Sequence, residues 1–315
     1  MIRPKSPFCL LLATIIFLSL QSSSFADIQI NGFTSNTNDR FTNHPSFIAG
    51  GFDLSGVGHS DGTGNTRGWG TLISPNVVLT ARHFAPTELY FYPNNDTSET
   101  PQVRSVIGTQ NVGDTPGSSI QTDLTLLRLN ANLPSNFQTY EIADEFLFTP
   151  SGTPSGTVTT AGSFQNVNAY MSGFSRNRPV GNKAAQAWGR NRISGFVDNV
   201  DFQNNTNSDM LFLQYDSTAG GFESHARGGD SGAPLFIDDG GELLLLGVNS
   251  ALFLDIVEDE DGNEISRTVQ GTGVSYVGNH AAEIRSFIVT NAVPEPGTAI
   301  LLCMGVVGSL LKRRR

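Results

Sequence analysis

Ser231, in GGDSGAPLF at 228–236, stands among glycines that let the backbone turn sharply and leave amide N–H groups free to face an oxyanion. A serine hydroxyl barely ionises at neutral pH, so it attacks a carbonyl only when a base takes its proton as the bond forms. His83, in GWGTLISPNVVLTARHF at 68–84, is the residue type suited to that task, because an imidazole titrates near neutrality. Asp123, in TDLTLLRL at 122–129, sits where a polar turn meets an apolar run, and a carboxylate there can fix the tautomer of an imidazole and stabilise its cation. Each residue alone has a plainer reading: a serine in a Gly-rich turn, a structural histidine after a strand, a turn aspartate that starts one. Together they point to nucleophilic acyl transfer.

The motifs and their chain order, His83, Asp123, Ser231, resemble the trypsin-like (chymotrypsin-fold) serine endopeptidases, over roughly Ile48 to Asn291. The resemblance implies an all-β fold, two antiparallel six-stranded β-barrels packed together with a C-terminal helix and a cleft at their interface. It implies a protein or peptide substrate, no cofactor, and an oxyanion hole made by the N–H groups of Gly229 and Ser231. Ser250, closing LLLLGVNS, matches a serine that hydrogen-bonds the triad aspartate. Asp230 matches an aspartate that receives a new N-terminal ammonium, and IAGG at 48–51 looks like the start of activated relatives. Ser46 and Phe47 precede it where a trypsin-type activator would need Arg or Lys, so a Gly-rich turn is the other reading of this stretch. His225, six residues before Ser231, falls at the base of the substrate pocket, where Arg or Lys preference requires an aspartate; a histidine there favours an acidic or polar side chain. Gly273 in GTGVSY matches a pocket-wall glycine. Ala251 and Leu252 stand where relatives carry Trp-Gly. The reading opposed to an enzyme is a non-catalytic surface binding or matrix protein on the same scaffold, and an esterase would share the mechanism.

Short apolar runs separated by turn residues must position these groups: LISPNVVLT, TLLRL, NAYMSGF, MLFLQY, PLFIDDGGELLLLGV and GTGVSYV have strand lengths. DDGG at 238–241 predicts a hairpin, and the acidic stretch around Asp261 and Gly262 a second. Helical spacing of Ala281, Ile284, Phe287 and Ile288 predicts a helix over His280 to Thr290. The expected organisation is a 27–47 extension or propeptide, a first barrel and linker over 48–160 with the crossing at Pro134 to Thr160, and a second barrel with its helix over 161–292.

The ends of the chain speak of export. A basic start, an apolar run from Phe8 to Leu20 and Ser24, Phe25, Ala26 read as a secretory signal over 1–26, with Asp27 first after cleavage. VPEPG at 293–297, an apolar TAILLCMGVVGSLL and a KRRR terminus read as a stop-transfer segment, short for a spanning helix. The same pattern resembles the PEP-CTERM sorting signal of Gram-negative bacteria, over 293–315. It implies an exosortase-type processing enzyme as partner and a periplasmic, cell-surface or extracellular destination, with membrane contact through this segment alone; a plain anchor is the alternative. The two cysteines, Cys9 and Cys303, lie in these terminal segments, so residues 27–293 hold no disulfide.

The full chain has 19 Lys and Arg against 29 Asp and Glu. Six of those cations and one acid lie outside 27–293, which leaves 13 against 28, a net of −15, over that stretch. Such a surface repels phosphate backbones and excludes nucleic acid as a partner. EDEDGNE at 258–264 lacks EF-hand spacing and reads as a solvated acidic hairpin ahead of a Ca²⁺ site. His44, His59 and His280 show no metal-ligand spacing, so no metal is expected.

Overall fold

The computed structural model describes residues 27–60, 68–95, 99–113, 121–154, 156–177, 185–202, 206–258 and 264–291. The expected leader at 1–26, the sorting segment and the acidic stretch at 259–263, with its expected second hairpin turn, lie outside the described residues. The chain enters through β1 (Gln29–Ile30) and the one-turn helix α1 (Ser35–Asn38), whose cap Thr34 accepts the Thr37 N–H at 3.2 Å.

Six strands then form a closed barrel: β2 (Val57–His59), β3 (Trp69–Ser74), β4 (Val77–Ala81), β5 (Glu88–Phe91), β6 (Gln102–Gly113) and β7 (Gln121–Leu129). They run in the order β4-β3-β2-β5-β6-β7, and β4 pairs antiparallel with β7 to close the ring. Closure leaves no free edge for another chain to pair with. Leu72, Val78, Leu89, Phe91, Leu127 and Leu129 fill the interior, each at most 1% exposed.

The second set of strands comprises β8 (Asn168–Phe174), β9 (Gln186–Arg192), β10 (Gly195–Phe202), β11 (Thr206–Gln214), β12 (Ser224–His225), β13 (Pro234–Asp239), β14 (Glu242–Glu258) and β15 (Glu264–Tyr276). Seven of them lie in the order β9-β8-β13-β14-β15-β11-β10. These strands stand beside the closed first barrel as one continuous run. The predicted DDGG hairpin forms, pairing Asp239 with Glu242 through Gly240 and Gly241 at φ of 69° and 99°. Helix α2 (Ala281–Asn291) buries Ala281, Ile284 and Phe287, the apolar face of the predicted helix.

One core runs across both halves, with Val57, Trp69 and Leu79 from the first and Trp188, Phe236 and Tyr276 from the second. Trp188 stacks on Phe236 at 6.2 Å and 14°. The 27–47 segment is built into this core. Ile28 and Ile30 are buried, and β1 pairs with β12 through Gln29↔His225 and Ile30↔Ser224. Arg40 is fully buried, and its guanidinium donates to Asn95 Oδ1 at 2.9 Å, Gln186 Oε1 at 3.0 Å and the carbonyls of Val57, Tyr92 and Asn94. Burial lowers its pKa to about 10, which leaves the cation charged at neutral pH and tied to strands of both halves.

Candidate active site

Barrel closure brings the base and its partner together. The register of β4 on β7 sets Ala81 opposite Leu124, so the residues just after Ala81 and just before Leu124 emerge at one end of the ladder. There β4 gives way to a 3₁₀ turn, Arg82–Phe84, which carries His83. Asp123 Oδ2 lies 2.7 Å from His83 Nδ1, and Oδ1 accepts the His83 backbone N–H at 3.0 Å. Two bonds from one carboxylate fix both the backbone and the ring. Asp123 is 1% exposed, so these bonds face little competition from water.

Ser231 arrives from the other half of the molecule. The turn from Arg227 to Asp230 closes with Asp230 N–H on Arg227 O at 3.0 Å, and Gly232 N–H donates to Asn249 O at 2.9 Å. Gly232 has φ of 82°, and a Cβ there would lie 2.4 Å from Thr80 Oγ1 and 3.1 Å from the Trp69 carbonyl. Only glycine allows that approach of the nucleophile loop to the end of β4. Ser231 Oγ consequently lies 2.8 Å from His83 Nε2. The Gly229 and Ser231 N–H groups have no acceptor among the described residues, whereas those of Asp230 and Gly232 do. Gly229 takes φ of 104°, a conformation side chains disfavour.

Asp230 is wholly buried beneath this loop. Its Oδ1 accepts the Phe174 N–H at 2.8 Å and its Oδ2 the Arg227 N–H at 2.9 Å. Desolvation pushes its pKa up to about 8 against the pull of those two bonds, with the nearby Asp27 adding to the rise and Arg227 opposing it. The Phe174 ring packs on Trp69 at 5.0 Å and on His59 at 5.7 Å, holding the strand end that supports Asp230.

Two sequence expectations change. Ser250 does not reach Asp123: its Oγ donates to Val248 O at 3.2 Å. The pairing of β14 with β15 shifts register between Asn249 and Ala251, and that bulge redirects the intervening side chain. Ser208 bonds Asp123 instead, its Oγ accepting the Asp123 backbone N–H at 2.6 Å. No motif marks Ser208, a short polar residue near the start of β11; only strand register places it. Gly273 makes room for protein: a Cβ there would lie 2.8 Å from Met210 Sδ and 2.9 Å from Phe253, so those side chains occupy the face expected to stay open. In the uncleaved chain IAGG forms a turn in which Ile48 N–H donates to Thr37 O at 2.9 Å.

His225 is 4% exposed, with Nδ1 at 2.7 Å from Ala226 O and its ring 4.4 Å from Tyr215. Nδ1 donates to that carbonyl, which leaves Nε2 as the acceptor of the neutral ring. Burial holds its pKa below the ordinary imidazole value, with Arg227 adding a smaller push the same way. Among the described residues no cluster of metal-ligating side chains occurs, and no helix is long and apolar enough to cross a membrane.

Comparison with known proteins agrees with this architecture. The PEP-CTERM protein-sorting motif matches residues 292–315, which indicates export by the exosortase system of Gram-negative bacteria to the surface or exterior. A search of curated proteins returns no match. Solved structures similar to the chain include human heparin binding protein, at 15% identity and a TM-score of 0.46, covering 76% of this chain and 93% of that one. A mutant of the same human protein (CAP37) matches at 16% identity and a TM-score of 0.47, covering 77% and 95%. The Trypsin family profile matches residues 58–263, well over half of the sequence, and the chain belongs to the trypsin family.

Proposed function

We propose that the protein is an exported serine endopeptidase. The observation that carries this reading is the unbroken line from Asp123 through His83 to Ser231, with bonds of 2.7 and 2.8 Å. Ser231 Oγ adds to the scissile carbonyl while its proton passes to His83 Nε2, and Asp123 stabilises the resulting imidazolium. The carbonyl oxygen gains the negative charge and is met by the N–H groups of Gly229 and Ser231. Collapse of the tetrahedral adduct expels the amine, which takes the proton from His83. Water then attacks the acyl-enzyme, giving one proton to His83 and returning Ser231 as its hydroxyl. His225 lies at the base of the pocket for the side chain before the scissile bond.

A leader ending at Ala26 and a tail removed by an exosortase complete the proposal, with delivery through the periplasm to the cell surface or medium. The test is labelling of the exported protein by a fluorophosphonate. Covalent capture that disappears in Ser231→Ala supports the enzyme. A folded wild type that stays unlabelled favours a binding or matrix protein on this scaffold.

A further inference from the structure

His83 stands in a turn with little packing to hold it. Arg82–Phe84 is three residues long, none of them is buried, and no side chain caps its start. The hydrogen bonds of a 3₁₀ turn are poorly aligned, so the direction of the imidazole depends on what ties the turn to the rest of the molecule. Asp123 supplies one tie, through the backbone N–H and the Nδ1 of His83.

The neighbouring side chain supplies another. Arg82 Nη1 donates to Thr206 Oγ1 at 2.8 Å, across 124 residues of sequence and from the first half of the molecule to the second. Thr206 is 6% exposed, so water competes weakly for its hydroxyl. Among the described residues no carboxylate pairs with Arg82, and Thr206 is the acceptor that its guanidinium has. A bond donated by a cation is stronger than one between neutral groups.

The place of Thr206 gives this bond its reach. Thr206 opens β11 and lies parallel beside Gln121 of β7, two residues before Asp123. Ser208, two residues further along β11, accepts the Asp123 N–H. Alternate residues of a strand share a face, so two buried hydroxyls on one face of β11 hold Asp123 and the residue next to the base. The path closes on itself: His83 to Asp123, along β7 to Gln121, across to Thr206, and back through Arg82.

We infer that Arg82 is a positioning residue, whose bond to Thr206 fixes the turn that presents His83 Nε2 to Ser231. The inference rests on the proposed catalytic reading. Arg82 itself takes and gives no proton. Without its bond the turn is free to swing and carry the imidazole away from the hydroxyl, while the N–H groups of Gly229 and Ser231 keep their places. The rate of attack falls and the binding of a substrate persists.

The test is fluorophosphonate capture at Ser231, read over a range of probe concentrations in exported Arg82→Met, Thr206→Val and the double variant. Each single change should lower the maximal rate about tenfold, the scale of one lost hydrogen bond to a charged group, with the half-saturating concentration unchanged. The double variant should lose no more than either single one, because both remove the same bond. Thr206→Ser keeps a hydroxyl and should recover most of the rate. Losses that multiply in the double variant, or capture at the wild-type rate in both singles, overturn the inference. Should Arg82→Met fail to fold, Thr206→Val against Thr206→Ser decides. A readout without turnover keeps the two readings apart: by proton NMR, the Nδ1 proton that His83 shares with Asp123 should exchange with solvent faster in Arg82→Met and Thr206→Val. Faster exchange alongside a wild type that is never captured upholds the tie and removes the catalytic reading. Equal exchange in wild type and variants overturns the inference.

Discussion

The backbone N–H of Asp123 donates to Ser208 Oγ at 2.6 Å, so a serine of β11, in the second half of the molecule, fixes the residue that orients His83. Ser208 is 1% exposed, and its hydroxyl is the acceptor that buried amide has. Asp123 therefore receives its position from both halves: β7 carries it, and β11 holds its main chain.

Ser208→Ala leaves a buried N–H without an acceptor and loosens Asp123. We expect kcat to fall about tenfold, or ~1.4 kcal/mol of barrier, with KM nearly unchanged. Ser250→Ala removes only the bond to Val248 O and should alter kcat by less than about twofold. Steady-state kinetics on both variants check the pair. A larger loss in Ser250→Ala than in Ser208→Ala would show that Ser250 turns toward Asp123 in the working enzyme.

Gly232→Ala tests how the nucleophile loop is seated. The new Cβ meets Thr80 Oγ1 at 2.4 Å and the residue holds φ of 82°, so strain and clash act together. A loss of about 1–3 kcal/mol in stability is expected from the backbone strain. A fall in kcat should accompany it, because the loop must retreat from β4 and lengthen the Ser231 to His83 bond. Denaturant unfolding and kinetics measure the two effects, and full activity at wild-type stability would refute this account of the loop.

Burial of Asp230 should make stability depend on pH. Its folded pKa is pushed up to about 8 from the ordinary carboxylate value of 3.8, so the folded state binds more protons between those values. Stability is then highest at the acid end of that window and declines as pH rises toward 8. Melting temperatures at about pH 5 and about pH 8, toward the two ends of the window, should show this decline. Asp230→Asn should flatten it, since an amide does not titrate. A decline equally steep in Asp230→Asn would assign the effect to other groups.

Local chemistry was legible in the sequence where a motif carries its own geometry. GDSG brings the glycines that free two amide donors, and TARHF follows a strand that must end near its turn. Short apolar runs and turn residues displayed the strands and the spacing of Ala281, Ile284 and Phe287 the helix, while the barrel was what the family resemblance implied. What escaped was everything decided by register between distant strands. Ser250 occupies the expected position in the chain, yet one bulge redirects its side chain, and Ser208 does the holding from a strand with no signature. Arg40 and Ile28 lie in a stretch that composition marks as an extension. Their burial depends on carbonyls and apolar surfaces supplied by strands far away in sequence, which no local pattern displays.

Substrate choice offers the last test. His225 is nearly inaccessible to water, and burial favours its neutral form at pH 7, with Nδ1–H spent on the Ala226 carbonyl. Arg227 is the charged group that acts on it, and that charge is positive. With His225 at the base of the pocket, a lysine or arginine before the scissile bond would find no counter-ion from these two residues. A polar side chain such as glutamine can donate to Nε2 of the neutral ring. A glutamate needs the ring protonated, which its own charge favours and high pH opposes. Cleavage after glutamine should therefore keep a constant KM through neutrality, while KM after glutamate should rise with pH. A peptide library read at pH 6 and pH 8, either side of the ordinary imidazole range, checks both trends. Predominant cleavage after Arg or Lys would remove His225 from the pocket.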